Sequence, residues 1–224
     1  MIPLQDVVPS RTPPVVTLAL IAMMGIVLLC ESGLPAQQVE WVLEHGGLVP
    51  PAFAWLTLLT ALFLHAGWLP ALANMGALWI FGDNVEDRLG HGRFLLCYLA
   101  CGALGLLVHA WTDAHSLVPT VGGGTAVAAV MGAHIAWFPR GRVLVLVPLV
   151  VAWDIIEVPS LWLLVAWLLL QTVGGLWLPV SPGPLGAGPT SWALLAGFGA
   201  GAGLGRLLGR AERARIEWYE PSGA

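Results

Sequence analysis

The chain has 224 residues, 58% of them hydrophobic and 10% charged, with a mean hydropathy of +0.82 and a formal net charge of −4. A water-soluble domain carries about 25% charged residues, so this balance points to a polytopic membrane protein. The acidic sign leaves no basic patch of the kind that nucleic acid needs.

In chain order, Pro13 and Pro14 precede an apolar stretch over residues 15–31, the first predicted span. The stretch reads as an uncleaved anchor, because only Arg11 precedes it and no small-x-small site follows. Residues 31–51, with Glu40, Glu44 and His45, read as a loop. Residues 52–82 lack charge but are interrupted by His65, Gly67 and Pro70. They divide into an interfacial piece, about 53–64, and a short second span, about 67–82. Further spans fall at about 94–111, 119–138, 159–178 and 191–208, each near the ~20 residues a bilayer crossing needs. The apolar segment 143–153 is too short to cross and is placed at the interface or against the bundle. The spans make one membrane domain, 1–210, followed by a short polar tail, 211–224.

The arginines test that count. Six spans with a cytoplasmic N-terminus put Arg11, Arg88, Arg93, Arg140, Arg142, Arg206, Arg210, Arg213 and Arg215 inside, while Glu31, Glu40, Glu44 and Asp113 fall outside. The chain has no lysine. The expectation is an all-α bundle of six transmembrane helices with both termini cytoplasmic. Trp41, Trp55, Trp68, Trp111, Trp177 and Trp192 lie near predicted span ends, where the indole prefers the headgroup boundary. Gly197, Gly201, Gly205 and Gly209 recur every four residues, and Ala126, Ala129, Gly132 and Ala133 give the fourth span a small face. Such spacing lets helices approach closely. Cys30, Cys97 and Cys101 lie in apolar runs without metal-like pairing and read as small buried residues.

Several motifs resemble those of one family. Phe63-Leu-His-Ala-Gly-Trp-Leu-Pro-Ala-Leu-Ala-Asn74 is similar to H-x-x-x-x-H-x-x-x-N, with His65 and Asn74 matching and Pro70 at the second histidine. Trp79-Ile-Phe-Gly-Asp-Asn-Val-Glu-Asp-Arg-Leu-Gly90 follows, then Phe138-Pro139-Arg140. In order and spacing these resemble the rhomboid intramembrane serine proteases over nearly the whole chain. The family's G-x-S-G-A motif falls on Gly122-Gly-Gly-Thr-Ala126, which puts Gly124 at the nucleophile and Thr125 at the next glycine. Its A-H-x-G-G-F-x-x-G motif falls on Ala193 to Gly201, with Leu194 at the general base. The Trp-Arg pair of the family's first external loop has no counterpart. The resemblance makes the fifth span and residues 179–189 a lateral gate and cap.

A glycine cannot form an acyl-enzyme and a leucine cannot accept a proton. The resemblance therefore implies a rhomboid pseudoprotease that binds or escorts transmembrane helices of client proteins in a bacterial inner membrane, without a cofactor or metal. His65 and Asn74 are remnants of the oxyanion side, and Thr125 is the nearest substitute nucleophile. Two other readings stand beside it. One is an active serine-type endopeptidase whose dyad was mutated or relocated. The other is lipid or small-molecule transport through the vacated cavity. The small-residue faces leave a homo-oligomer open.

Overall fold

The computed structural model describes residues 2–6, 10–65, 67–148, 153–177 and 191–208. The predicted tail 211–224 and the cap segment 179–189 lie outside the described residues. Pro13 and Pro14 end the extended entry and start α1 (Val15–Gly33), since a fixed φ and a missing N–H cost nothing in a helix's first turn. Next come α2 (Ala36–Gly46), a 3-10 turn at Pro50–Ala52 and the single turn α3 (Thr57–Thr60). Two long helices, α4 (Trp68–Leu89) and α5 (His91–Thr112), are divided only by Gly90, whose φ of 78° suits a residue without a β-carbon. Pro70 sits in the first turn of α4, where it breaks no helical hydrogen bond. The central helix α6 (Gly123–Trp137) is followed by α7 (Ser160–Trp177) and α8 (Ser191–Leu208).

Contacts between helices set their directions. A β-carbon on Gly82 of α4 would meet Thr17 of α1 at 2.8 Å, and one on Gly25 would meet Met75 at 4.0 Å, so α1 and α4 are antiparallel. Gly102 of α5 faces Ala126 and Gly105 faces Thr125, so α5 runs against α6. Down α8, Gly197 lies on the Thr125 carbonyl, Gly201 on the Ala129 carbonyl and Gly205 on Ala133, so α6 and α8 are parallel. Ser160, at the start of α7, donates its N–H to Gly141 O at 2.8 Å, which ties that helix to the far end of α6. The six long helices thus alternate in direction. All the described arginines belong to segments at one end. Exposed Trp41, Trp55, Trp68, Trp111 and Trp192 belong to segments at the other, whereas exposed Trp162 lies near the arginine end and exposed Trp79 within α4.

The observed boundaries correct several expectations. Residues 31–51 are not simply loop, because they contain α2, whose Val39, Val42 and Leu43 pack with Leu64 and Val121. The fourth helix starts at Gly123 rather than near 119, because Thr120 pairs with Leu48 in an antiparallel bridge. The fold is not all-α either. Residues 143–153 belong largely to a hairpin, β2 (Arg142–Pro148) and β3 (Trp153–Pro159), and β2 also pairs with β1 (Ile2–Asp6) at the arginine end. Val143 and Val145 turn inward from that sheet, whereas Arg142 points out and reaches Glu157 at 3.0 Å. Among the described helices, α1 and α5 are by themselves long and apolar enough to cross a membrane. Helix α6 has only 15 residues, about 22 Å at 1.5 Å per residue, but α4, α5 and α8 enclose it and Gly123 to His134 are all buried. All three cysteines are thiols; Cys97 and Cys101 are buried, but Cys30 is exposed, against expectation, on the outward face of α1.

A polar clamp holds the arginine end. Glu86 is fully buried; its Oε1 accepts the Val16 N–H at 2.8 Å and also meets His91, and its Oε2 accepts the Thr17 N–H at 2.7 Å and the Thr17 hydroxyl at 2.6 Å. It therefore caps α1, whose first N–H groups have no helical acceptor, from 70 residues away. Asp87 accepts the backbone N–H and the hydroxyl of Thr12 at 2.9 and 2.6 Å.

Two stability predictions follow from these contacts. The methyl group of Gly201→Ala would overlap the Ala129 carbonyl, whereas that of Gly203→Ala meets nothing within 4 Å. In detergent unfolding, Gly201→Ala is expected to lose about 1–3 kcal/mol while Gly203→Ala stays near wild type. Equal losses would refute this packing. Burial opposes the Glu86 carboxylate, but hydrogen bonds from Thr17, Val16 and His91 outweigh it and hold its pKa below the ordinary 4.5. A depressed folded pKa gives stability that is present above the unfolded value and lost as pH falls through the folded one. Glu86→Gln should therefore cost about 2 kcal/mol near neutral pH, and its gap from wild type should narrow below about pH 4.5. A gap that is constant with pH would contradict the clamp.

Candidate functional site

At the tryptophan end, residues 119–122 descend in extended form between two anchors. Thr120 and Leu48 exchange backbone hydrogen bonds of 2.9 Å each, and Gly122 N–H donates to Ala61 O at 2.7 Å. The Thr120 hydroxyl also shares a 2.6 Å hydrogen bond with His109 Nε2. These ties fix where α6 begins. The first N–H groups of an α-helix have no acceptor inside it. Thr125 N–H finds Gly122 O at 2.9 Å, which leaves those of Gly123 and Gly124 without a helical acceptor.

His65 faces this helix start. Its side chain is 5% exposed, and its Nδ1 lies 3.1 Å from Phe63 O. A carbonyl oxygen only accepts, so Nδ1 carries the proton and Nε2 of the neutral ring is a lone-pair acceptor. Burial, offset in part by the bond to Phe63, holds the ring's pKa below its ordinary value of 6.5. Among the described residues Nε2 has no hydrogen-bond partner. It would lie 2.7 Å from a β-carbon on Gly123, so a side chain there would have to push the imidazole edge aside.

Thr125 is fully buried, and its one hydroxyl proton is shared between Gly122 O at 2.7 Å and Gly102 O at 3.1 Å. The hydroxyl is bonded back to backbone, and no hydrogen bond joins it to His65. Asn74 is buried in the second turn of α4, again without a hydrogen bond to His65 among the described residues. Leu194 is 3% exposed on α8, just past Ala193, whose carbonyl and Thr125 both press on Gly105 of α5. The first turns of α6 and α8, which carry Gly124 and Leu194, are thus adjacent. Pro70 lies in the first turn of α4 and supplies no donor. His134 is remote from all of these, at the opposite end of α6 between the Phe81 and Phe138 rings. Among the described residues no group of His, Cys, Asp and Glu is arranged to hold a metal ion.

Sequence reasoning found His65 but not the glycine that accommodates its ring. It also missed the pairing of His109 with Thr120, eleven residues apart. A histidine at the end of one apolar helix and a threonine just before the next was the available signal.

An enclosed helix that starts on a run of glycines, beside a buried histidine and within a ring of apolar helices, defines a class of intramembrane protein. The rhomboid domain model matches residues 52–211, and the chain belongs to the rhomboid family of integral membrane proteins. Rhomboid protease GluP of Bacillus subtilis (strain 168) is 39% identical over 79 residues, 35% of this chain and 15% of that protein. Putative rhomboid protease YdcA of the same strain is 39% identical over 51 residues, 23% of this chain and 26% of that protein. RHOMBOID-like protein 5 of Arabidopsis thaliana is 32% identical over 79 residues, 35% of this chain and 26% of that protein. The matched stretches thus span about a quarter or less of these relatives' lengths.

Proposed function

We propose that this rhomboid-family protein binds transmembrane helices of client proteins without hydrolysing them. The observation that carries this reading is the pair Gly124 and Leu194. By the motif resemblance they fall at the nucleophile and base positions, and they lie on two helix starts that pack together through Thr125, Ala193 and Gly105. Losing either member of a nucleophile–base pair removes nearly all catalysis, and losing the second adds little. Pro70 supplies no donor where the family has a second histidine, and the Thr125 hydroxyl is engaged by carbonyls. In this reading all six long helices cross a bacterial inner membrane. The arginine end faces the cytoplasm, in keeping with the positive-inside tendency, and the five tryptophans mark the opposite interface. Clients would approach where α4 exposes Leu69 and Leu72, at 80% and 55%, and where α7 lies at the bundle's edge.

The test is cleavage of a reporter transmembrane substrate in proteoliposomes by the native chain, Gly124→Ser, Leu194→His and the double variant. The native chain is expected to match a lipid-only control, and only the double variant to cut. Native cleavage that disappears in Thr125→Ala or His65→Ala would instead establish a relocated dyad and an active endopeptidase.

A further inference from the structure

We infer that residues 213–220 of this chain pair as a further strand along the open edge of β3. The inference is independent of client binding and starts from the sheet at the arginine end. Its order is β1-β2-β3, so among the described residues β3 is paired on one side only. β3 keeps unbroken register with β2, from Arg142 opposite Pro159 to Pro148 opposite Trp153. The other edge strand, β1, contains Pro3, which has no N–H to offer, and its register shifts before Gln5. Residues directly opposite each other share a face of the sheet, so Ile156 faces the same way as Val145 and Val158 the same way as Val143. Val143 and Val145 are fully buried, yet Ile156 is 37% exposed. An edge strand with an uncovered apolar flank is a template for another strand.

The chain supplies a strand within reach. Helix α8 ends at Leu208, and Gly205 in its last turn lies against Ala133 and Ala136 near the end of α6. Just past that end, Gly141 O accepts the N–H of Ser160, the residue that follows β3. The stretch from Leu208 to Ile216 can span about 26 Å. That exceeds one helix width of about 10 Å and two strand spacings of about 5 Å. The segment reads Arg213-Ala-Arg-Ile-Glu-Trp-Tyr-Glu220 and is followed by Pro221. Isoleucine, tryptophan and tyrosine favour strands. Alternation puts Ile216 and Trp218 on one face and Arg213, Arg215, Glu217 and Tyr219 on the other. Ile216 and Trp218 would cover Ile156. On the opposite face Glu157 already meets Arg142 of β2 at 3.0 Å. A strand beyond β3 brings Arg213 or Arg215 to the other side of that acid, and both apolar and opposite-charge neighbours favour strand pairing.

Amide hydrogen exchange of the full-length protein, with one chain per nanodisc, reads the edge directly. The β3 amides are expected to exchange about tenfold faster in Ile216→Pro and in Trp218→Ser than in the native chain. Tyr219→Ser, on the other face, should leave them unchanged, and the amides of β2, paired on both sides, should not respond to any of the three. Under mild oxidation in a Cys30→Ser background, Ile156→Cys should form a disulfide within one chain with Ile216→Cys or Trp218→Cys, but not with Tyr219→Cys. Equal β3 exchange in the native chain, Ile216→Pro and Trp218→Ser would overturn the inference, since the segment then does not cover the edge. An equal response to Trp218→Ser and Tyr219→Ser would also overturn it, because a strand must alternate. Protection seen only when each nanodisc holds two chains would assign the edge to a second copy instead.

Discussion

The contact between α6 and α8 is the constraint on which the rest of the bundle depends. Three glycines of α8, one per turn, lie on carbonyls and Cα atoms of α6, and Gly132 of α6 receives the Phe198 carbonyl in return. Between helices surrounded by lipid there is no hydrophobic gain from burying leucine against leucine, so close backbone packing has to supply the attraction. Because α6 is held this closely on one side, Gly102 and Gly105 of α5 can meet it on another, and α6 becomes wholly enclosed. Enclosure is what allows a 15-residue helix to serve as the centre of a membrane domain. Its ends need not reach the headgroups, since neighbouring helices cover them.

This contact was legible in the sequence, whereas much of what surrounds the site was not. A glycine every fourth residue in α8 and the alanines of α6 are a local pattern, and local patterns survive as sequence signals. The limits of α5, α7 and α8 were legible for the same reason, because apolar runs end where charge or proline begins. What escaped depends on partners distant in the chain. The β2–β3 hairpin reads only as a short apolar run, and its pairing with β1 joins residues about 140 positions apart. The start of α6 is set by Leu48 and Ala61 rather than by any breaker, so extending the helix to 119 was natural and wrong. Helix α2 is amphipathic, with Val39, Val42 and Leu43 spaced among Gln and Glu, and at eleven residues its signal is weak. Glu86 looked like one charge in an ordinary acidic run, yet it caps a helix that begins 71 positions earlier, at Val15.

The same geometry explains how catalytic groups and packing can vary independently in this fold. The glycine contacts lie at Thr125, Ala129 and Ala133, along and below the level of positions 124 and 194, and none of them involves a side chain at either position. The leucine at 194 is 3% exposed and needs no partner, whereas a histidine there would need its ring nitrogens satisfied at low dielectric. Exchanging such a pair for glycine and leucine leaves the helix–helix contact intact and removes two polar groups from the membrane interior.

The start of α6 is different, because its polarity belongs to the backbone and cannot be substituted away. Residues 119–122 carry the chain inward before the helix begins, so its first N–H groups lie within the bundle rather than in water. Unmet donors in such surroundings cost several kcal/mol each. Beside them, His65 Nε2 has no hydrogen-bond partner among the described residues. Where α6 begins is fixed by Leu48, Ala61 and the glycines of α8.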